Sequence, residues 1–538
     1  MSLKPDRPAC PLPLQRATNY VDLHESEGAE RLGNSTGTKT IMNHSGVLFG
    51  WLVAAVTIIC TGLVFAVIGD DDAVAMQLAA FFCTTMGVML IVADYRVEHN
   101  AASPLLLSMV LLLLHFPFHA MAYSESLTVI SLLGAERHEY LTYSVIVCMF
   151  AMIATYIGFR RMSVGPITRM ISRFDLNVDV NSRVTQGKIL ILIMIALIAK
   201  GVLISNRGFF FIAQTDDTPT LPGAYVFHLL ASLFQWIALF FLVSGLSHRV
   251  RSRTLLGVGM IIVEAAFGLF VTGSRYQFAL PLFAALLAMG IGYRRLKMST
   301  VVGLLAAAFL ILIPVASAYK KAYFSQTEEI QRDGFSIGLV TNALDKADDD
   351  DGTESWDELV ALRFHAATSL AVIIRFMPER ASYQLGLPYL MLPVDLLVPR
   401  FIWPDKPSIR AFAAEFPKVF WNHERSSRTS VKPSMFGELW SNLHFFGVLL
   451  GAYLFGRLLR FLYSGFRLGG SDPIWGIAAA ATILPSLILS SIEDELVTAL
   501  AVTMKSIIIW LIVIRFLGSG GTARARVGTP LGPAPRRP

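Results

Sequence analysis

Residues 223–245 read GAYVFHLLASLFQWIALFFLVSG and run directly into LSHRVRSR, which places Arg249, Arg251 and Arg253 just past the apolar stretch. At about 1.5 Å of rise per residue, a helix of this length reaches about 34 Å and clears a hydrocarbon core of about 30 Å. No Asp, Glu, Lys or Arg interrupts it. A run of this kind ending in a basic loop predicts a membrane span whose second end is cytoplasmic, because short cytoplasmic loops hold an excess of Lys and Arg. The same pattern recurs along the chain and predicts about twelve spans: 47–68, 74–93, 104–122, 141–159, 189–206, 223–245, 255–273, 277–293, 300–318, 443–463, 474–492 and 496–516. Of the 538 residues 54% are apolar and 16% charged, and mean hydropathy is +0.57. That balance excludes a soluble globular protein and predicts an all-α polytopic integral membrane protein.

Basic residues sort to one side. Arg160, Arg161, Arg169, Arg173 and Arg183 share one loop, Arg294, Arg295 and Lys297 another, and Arg457, Arg460 and Arg467 a third, on the side of Arg249. The alternate loops carry Asp70, Asp71 and Asp72, then Glu125, Glu136 and Glu139, then Asp216 and Asp217, and finally Glu493, Asp494 and Glu495. Both termini are therefore expected in the cytoplasm. The polar segments 1–46 and 518–538 read as disordered tails, 47–318 as spans one to nine and 443–517 as spans ten to twelve. A net charge of +6 is too small on so apolar a chain to argue for nucleic acid. Cys10 lies in the polar tail while Cys60, Cys83 and Cys148 lie in apolar stretches, which gives neither a disulfide framework nor zinc spacing.

Residues 319–442 form the one long extramembrane segment, expected on the outer face. Its first part, 319–358, holds 11 acidic and 4 basic residues and reads as a solvated linker. Its second part, 359–442, holds 10 basic and 6 acidic residues with 12 aromatics between them, unlike a linker. Leu359 to Met377 is expected to be an interfacial helix and Tyr383 to Trp403, broken by three prolines, a segment dipping into the membrane. Reading both as true spans would raise the count to fourteen.

Arg binds phosphate through a planar fork of donors, and grouped Arg and Lys can neutralise a diphosphate without metal. The outward side offers Arg275 with its neighbour Tyr276, then Arg363, Arg375, Arg400, Lys406, Arg410 and Lys432 in the loop. Snorkelling to lipid headgroups competes with that role for any single Arg. Glu438 lies at an expected helix start beside these cations, where it can take a proton from a sugar hydroxyl or merely favour the helix dipole. His365 and His423 are further bases. Trp403, Trp421 and Trp440 offer flat faces for sugar rings or anchor the interface. No acidic pair or ligand-spaced His cluster calls for a metal. Within the spans, Lys200 and Glu264 fall at similar depth and are expected to pair, whereas His115 and His119 share a helix face without a carboxylate nearby in sequence.

Three segments resemble the bacterial O-antigen polymerase (Wzy-type) family of oligosaccharide repeat-unit polymerases. They are Thr272-Gly-Ser-Arg275, the run Leu397-Val-Pro-Arg400-Phe-Ile-Trp403-Pro-Asp405-Lys406-Pro407, and Ser434-Met-Phe-Gly-Glu438 through Phe446-Gly447. The resemblance covers roughly residues 190–515 and is most specific in the second segment. It implies a GT-C-like polymerase architecture in the bacterial inner membrane with a periplasmic active face. It also implies undecaprenyl-diphosphate-linked oligosaccharide as donor and acceptor, no cofactor, and a chain-length regulator as a possible partner. Carried over, Arg275, Arg400 and Lys406 would meet the diphosphate and Glu438 would serve the acceptor, with Asp405 and His365 as further catalytic candidates. A ligase that moves a finished glycan to another lipid shares the donor and the loop. A flippase would share the span count, but no internal repeat is evident and the midplane charges are few.

Overall fold

The computed structural model describes residues 49, 51–68, 71–162, 182–205, 224–271, 275–293, 365–398, 406–421, 432–468 and 473–518, with isolated positions at 297, 299, 300, 303 and 403. Every regular element among them is helical: α1 (Trp51–Phe65), α2 (Asp72–Glu98), α3 (Pro104–Tyr123), α4 (Leu127–Leu133), α5 (Arg137–Arg161), α6 (Arg183–Ser205), α7 (Ala224–Ser247), α8 (Arg251–Phe270) and α9 (Arg275–Ala288). Then follow α10 (Ala366–Phe376), α11 (Leu387–Leu397), α12 (Ala411–Phe420), α13 (Ser434–Leu468), α14 (Pro473–Glu493) and α15 (Leu496–Gly518). Nine of the described helices, α2, α3, α5 to α8 and α13 to α15, are long and apolar enough to cross a membrane. The expected spans at 47–68 and 277–293 appear as the shorter apolar helices α1 and α9, and the one at 300–318 lies outside the described residues but for positions 300 and 303. So do the acidic linker and nearly all of both tails.

Local signals fix the helix ends. Asp71 caps α2 by accepting the Val74 amide at 3.1 Å, satisfying one of the donors that a helix start leaves open. Pro104 opens α3, where a missing amide costs nothing, while Pro117 inside the same helix coincides with a π-helical turn over Leu114–Phe118. Packing then makes two groups. In one, α5 runs along α13 and α2; in the other, α6 and α8 flank α7, and α9 joins α8. Helix α14 touches α7, α9, α13 and α15, and so links them.

The α5–α13 crossing depends on small residues. A β-carbon at Gly158 would sit 2.1 Å from the Tyr453 carbonyl, and one at Gly456 2.0 Å from that of Thr155. Two backbones meet there with no side chain between them, as close-packed membrane helices do. On the outside the reverse holds: Leu190, Ile191, Met194 and Ile198 of α6 and Leu255, Ile262 and Val263 of α8 are exposed. Apolar faces of this extent are stable against lipid and not against water, so the protein is membrane-embedded.

Inside, Lys200 of α6 reaches both Glu264 oxygens of α8 at 2.9–3.0 Å, the pairing expected from their depth. A second buried network ties the ends of three helices: Arg160 pairs with Asp94 and, at 3.2 Å, with Glu98, which also meets Arg460 at 2.7 Å.

Helices α10 and α11 have eleven residues each and rise about 16 Å, half of what a crossing needs. Residues 366–373 of α10 are all buried, against α5, α13 and the π-helical turn of α3, and its small residues Ala366, Ala367, Ser369 and Ala371 permit that close packing.

Candidate functional site

Helix α13 breaks at Leu443 and His444, the latter with φ 56° and ψ −152°. The break frees carbonyls of the preceding turn, and the chain entering α11 uses them. Gln384 N donates to Ser441 O at 2.9 Å, Leu385 N to Asn442 O at 3.2 Å, and Gly386 N to Asn442 Oδ1 at 3.0 Å. Leu385 and Gly386 both take positive φ to make this turn, and Gly386 does so without the cost of a side chain. In return, Ser441 Oγ and Asn442 Nδ2 donate to the Glu438 carbonyl at 2.7 and 2.8 Å. The segment 434–442 is thereby locked to α11, and Glu438 is held at its centre.

Glu438 is 1% exposed. Its Oε2 accepts the Val497 amide of α15 at 3.2 Å. The Tyr389 hydroxyl of α11 and the Glu495 carboxyl face it. Around this centre lie charges from four segments. Lys406 contacts Asp395 at 3.0 Å and donates to the Asp395 and Val398 carbonyls at 3.2 and 2.9 Å. Lys432 pairs with Asp494 at 2.6 Å, and Lys505 of α15 approaches Asp395 at 4.0 Å. Arg410 and Lys432 both act on Glu495, and Arg410 on Lys505. Beneath them Leu392, Ile409, Val497 and Ala501 pack as a small apolar floor. Burial pushes the Glu495 carboxyl above the usual range, against the pull of Thr498, Arg410 and Lys432.

Of the residues expected to matter, the fold brings Glu438, Lys406, Arg410 and Lys432 into one network. Tyr276 stands at its edge, its hydroxyl 3.0 Å from Ser490 Oγ and 3.3 Å from Ser486 Oγ, close enough to Glu493 and Asp494 to feel their charge. Arg375 keeps other company: it donates to the Leu132 and Leu133 carbonyls and pairs with Glu136 at 3.0 Å, tying α10 to the α4–α5 connection. His365 stands ahead of α10, edge-on to Trp421 and beside His115 and His119, the latter 2.7 Å from Thr368 Oγ1. Trp421 and Trp440 are packed inside, Trp440 4.0 Å from the His444 ring, whereas Trp403 is 43% exposed. Arg363, Arg400, Asp405 and His423 lie outside the described residues, as does the Arg275 side chain.

Sequence reading passed over Tyr389, Asp395, Glu495 and Lys505. Glu495 had been visible only as part of an acidic loop, and its partner lies on another helix. Among the described residues no three His, Cys, Asp or Glu side chains gather as a metal-holding group. What the network offers chemically is a buried carboxyl group with fixed positive charge close by.

No curated protein and no solved structure matches the chain. Residues 181–466 match the family described as Domain of unknown function (DUF8712), a stretch that begins at α6, includes Glu438, Lys406, Arg410 and Lys432, and stops short of Glu495. With more than half of its length in that match, the chain belongs to the DUF8712 family.

Proposed function

We propose that this protein is a glycosyltransferase that polymerises undecaprenyl-diphosphate-linked oligosaccharide repeat units on the periplasmic face of a bacterial inner membrane, without a metal. The observation that carries the reading is Glu438: buried, with Oε2 fixed by Val497, and with Lys406, Arg410 and Lys432 in its network. Displacing a diphosphate from an anomeric carbon requires a deprotonated acceptor hydroxyl and stabilised charge on the leaving group. A preorganised carboxylate answers the first need and fixed cations the second. In this scheme Lys406, tied to Asp395, shapes the site, while Arg410 and Lys432 with Arg275, Arg363 and Arg400 meet the diphosphate. Trp403 presents a face to a sugar ring.

The test is incubation of the purified protein with a lipid-linked repeat unit and separation of the products on a gel. A ladder is expected; a single transferred glycan would mean a ligase, and no product would overturn glycosyl transfer. Glu438→Gln keeps the shape but cannot take the proton, so it should slow turnover by about 100-fold or more while leaving donor binding nearly intact. Polymer at near wild-type rate from that variant would remove Glu438 from the mechanism.

A further inference from the structure

Helix α11 carries one charged residue, Asp395, and α15 carries one before its last turn, Lys505. Asp395 Oδ2 faces the Lys505 ammonium at 4.0 Å, while Oδ1 holds Lys406 at 3.0 Å. Lys406 also donates to the Asp395 and Val398 carbonyls, and so closes the end of α11 as a cation at a helix C-terminus does. Three residues before Asp395, Leu392 packs with Ile409, Val497 and Ala501. Helix α11 therefore runs down beside α15 in the same direction. Lys505 follows Val497 by eight residues, about 12 Å along the helix, so the charged trio lies that far below the amide that fixes Glu438. A charge at such depth beside a membrane-spanning helix is costly unless paired. Apolar residues in place of a buried ion pair are often no less stable, and the best-attested service of such a pair is to set register. The rest of this contact is apolar and can slide at little cost, whereas one polar contact fixes the height of two helices.

We propose that Asp395 is a positioning residue: by holding Lys406 on one oxygen and facing Lys505 with the other, it pins α11 and residues 406–410 to α15 at one height. At its start α11 meets the α13 break through the Gly386 amide and Asn442, one turn from Glu438, so a shift of α11 displaces that contact. Beyond Lys406, buried Ile409 is set against Val497 and exposed Arg410 follows it, which places Arg410 beside the turn that holds Glu438. The pin stands on these contacts; its use in the reaction rests on the reading of Glu438 and Arg410 given above.

Position 409, 6% exposed, reports the pin in the purified full chain without reference to activity. In a background with Cys10, Cys60, Cys83 and Cys148 replaced, Ile409→Cys should react slowly with a soluble maleimide. Adding Asp395→Asn leaves Lys406 and Lys505 without the carboxylate between them and should raise that rate about tenfold or more. Asp395→Glu keeps the charge and should leave the rate low. An unchanged rate in Asp395→Asn, or an equal rise in Asp395→Glu, overturns the pin. If Asp395→Asn does not fold, Lys505→Met keeps the Lys406 pair and removes the α15 side alone; a raised rate is expected, and an unmoved one overturns the proposal. For the reaction, Asp395→Asn should raise KM for the lipid-linked donor about tenfold, and Arg410→Gln should add little to that rise, since both act through one contact. A fall in kcat with KM unmoved, or fully additive effects, removes Asp395 from the reaction. Protection of position 409 with no glycan product from wild type would leave the pin standing and overturn the glycosyl-transfer reading.

Discussion

Glu495 shows how one side chain is pulled by opposing effects. Burial disfavours its carboxylate, while the Thr498 hydroxyl and the charges of Arg410 and Lys432 favour it, and the balance leaves it above the usual carboxylate range. A carboxyl raised in the folded state contributes stability at low pH, where folded and unfolded forms are both protonated. That contribution is lost as pH climbs past the unfolded value of about 4.3, because the unfolded chain sheds its proton first. Glutamine at this position never ionises and escapes the loss. The thermal stability of Glu495→Gln relative to wild type should therefore improve from pH 5 to pH 8, measured as the midpoint of unfolding in detergent. A relative stability that falls with pH would mean that Arg410 and Lys432 outweigh burial and hold the carboxylate ionised.

The break in α13 makes a sharper case for the element. His444 takes a backbone conformation that only glycine adopts freely, at a cost of about 1–3 kcal/mol for other residues. Its ring partly offsets that by packing on Trp440 and facing Tyr383 at 6.1 Å. His444→Ala and His444→Gly both lose the ring, but only glycine relieves the backbone. The glycine variant should be the more stable by about 1 kcal/mol or more in thermal unfolding; equal stability would show that the break relaxes once the imidazole is gone. This break also marks where sequence reading ran out. Apolar runs located every described span, since length and composition alone decide whether a helix can live in lipid, and Lys200 with Glu264 was legible from depth. The sequence predicts a helix start near Glu438 and a membrane span only from residue 443, which leaves Glu438, Ser441 and Asn442 outside the span. They are helical and buried because α11 and α15 satisfy them, through Gly386, Gln384 and Val497. No local pattern announces partners that far along the chain, which is why Tyr389, Asp395 and Glu495 escaped notice and Glu438 did not.

Across the molecule, two charge networks mark opposite ends of α13. At one end Glu98 joins Arg160 and Arg460, and Lys188 at the start of α6 donates to the Phe516 carbonyl at the end of α15 at 2.7 Å. At the other lie Glu438 and its neighbours. Val497, whose amide holds Glu438, and Phe516, whose carbonyl accepts from Lys188, lie 19 residues apart on α15, about 28 Å along a helix, close to the thickness of a hydrocarbon core. The basic loops cluster at the Arg460 end, so the charge rule predicts that end in the cytoplasm and Glu438 outside. Single-cysteine variants test this in a background with Cys10, Cys60, Cys83 and Cys148 replaced. Asp350→Cys should react with a membrane-impermeant maleimide added to intact spheroplasts. Arg251→Cys, at the exposed start of α8, should react only after the membrane is opened. The reverse pattern would place Glu438 on the cytoplasmic face and would remove the periplasmic reading of its chemistry along with the topology. Labelling of both positions from outside would instead put an even number of crossings between residues 251 and 350 in place of the three expected. With α8 long enough to cross, such a result would place the error in 277–293, where α9 is short, or in 300–318, which lies almost wholly outside the described residues.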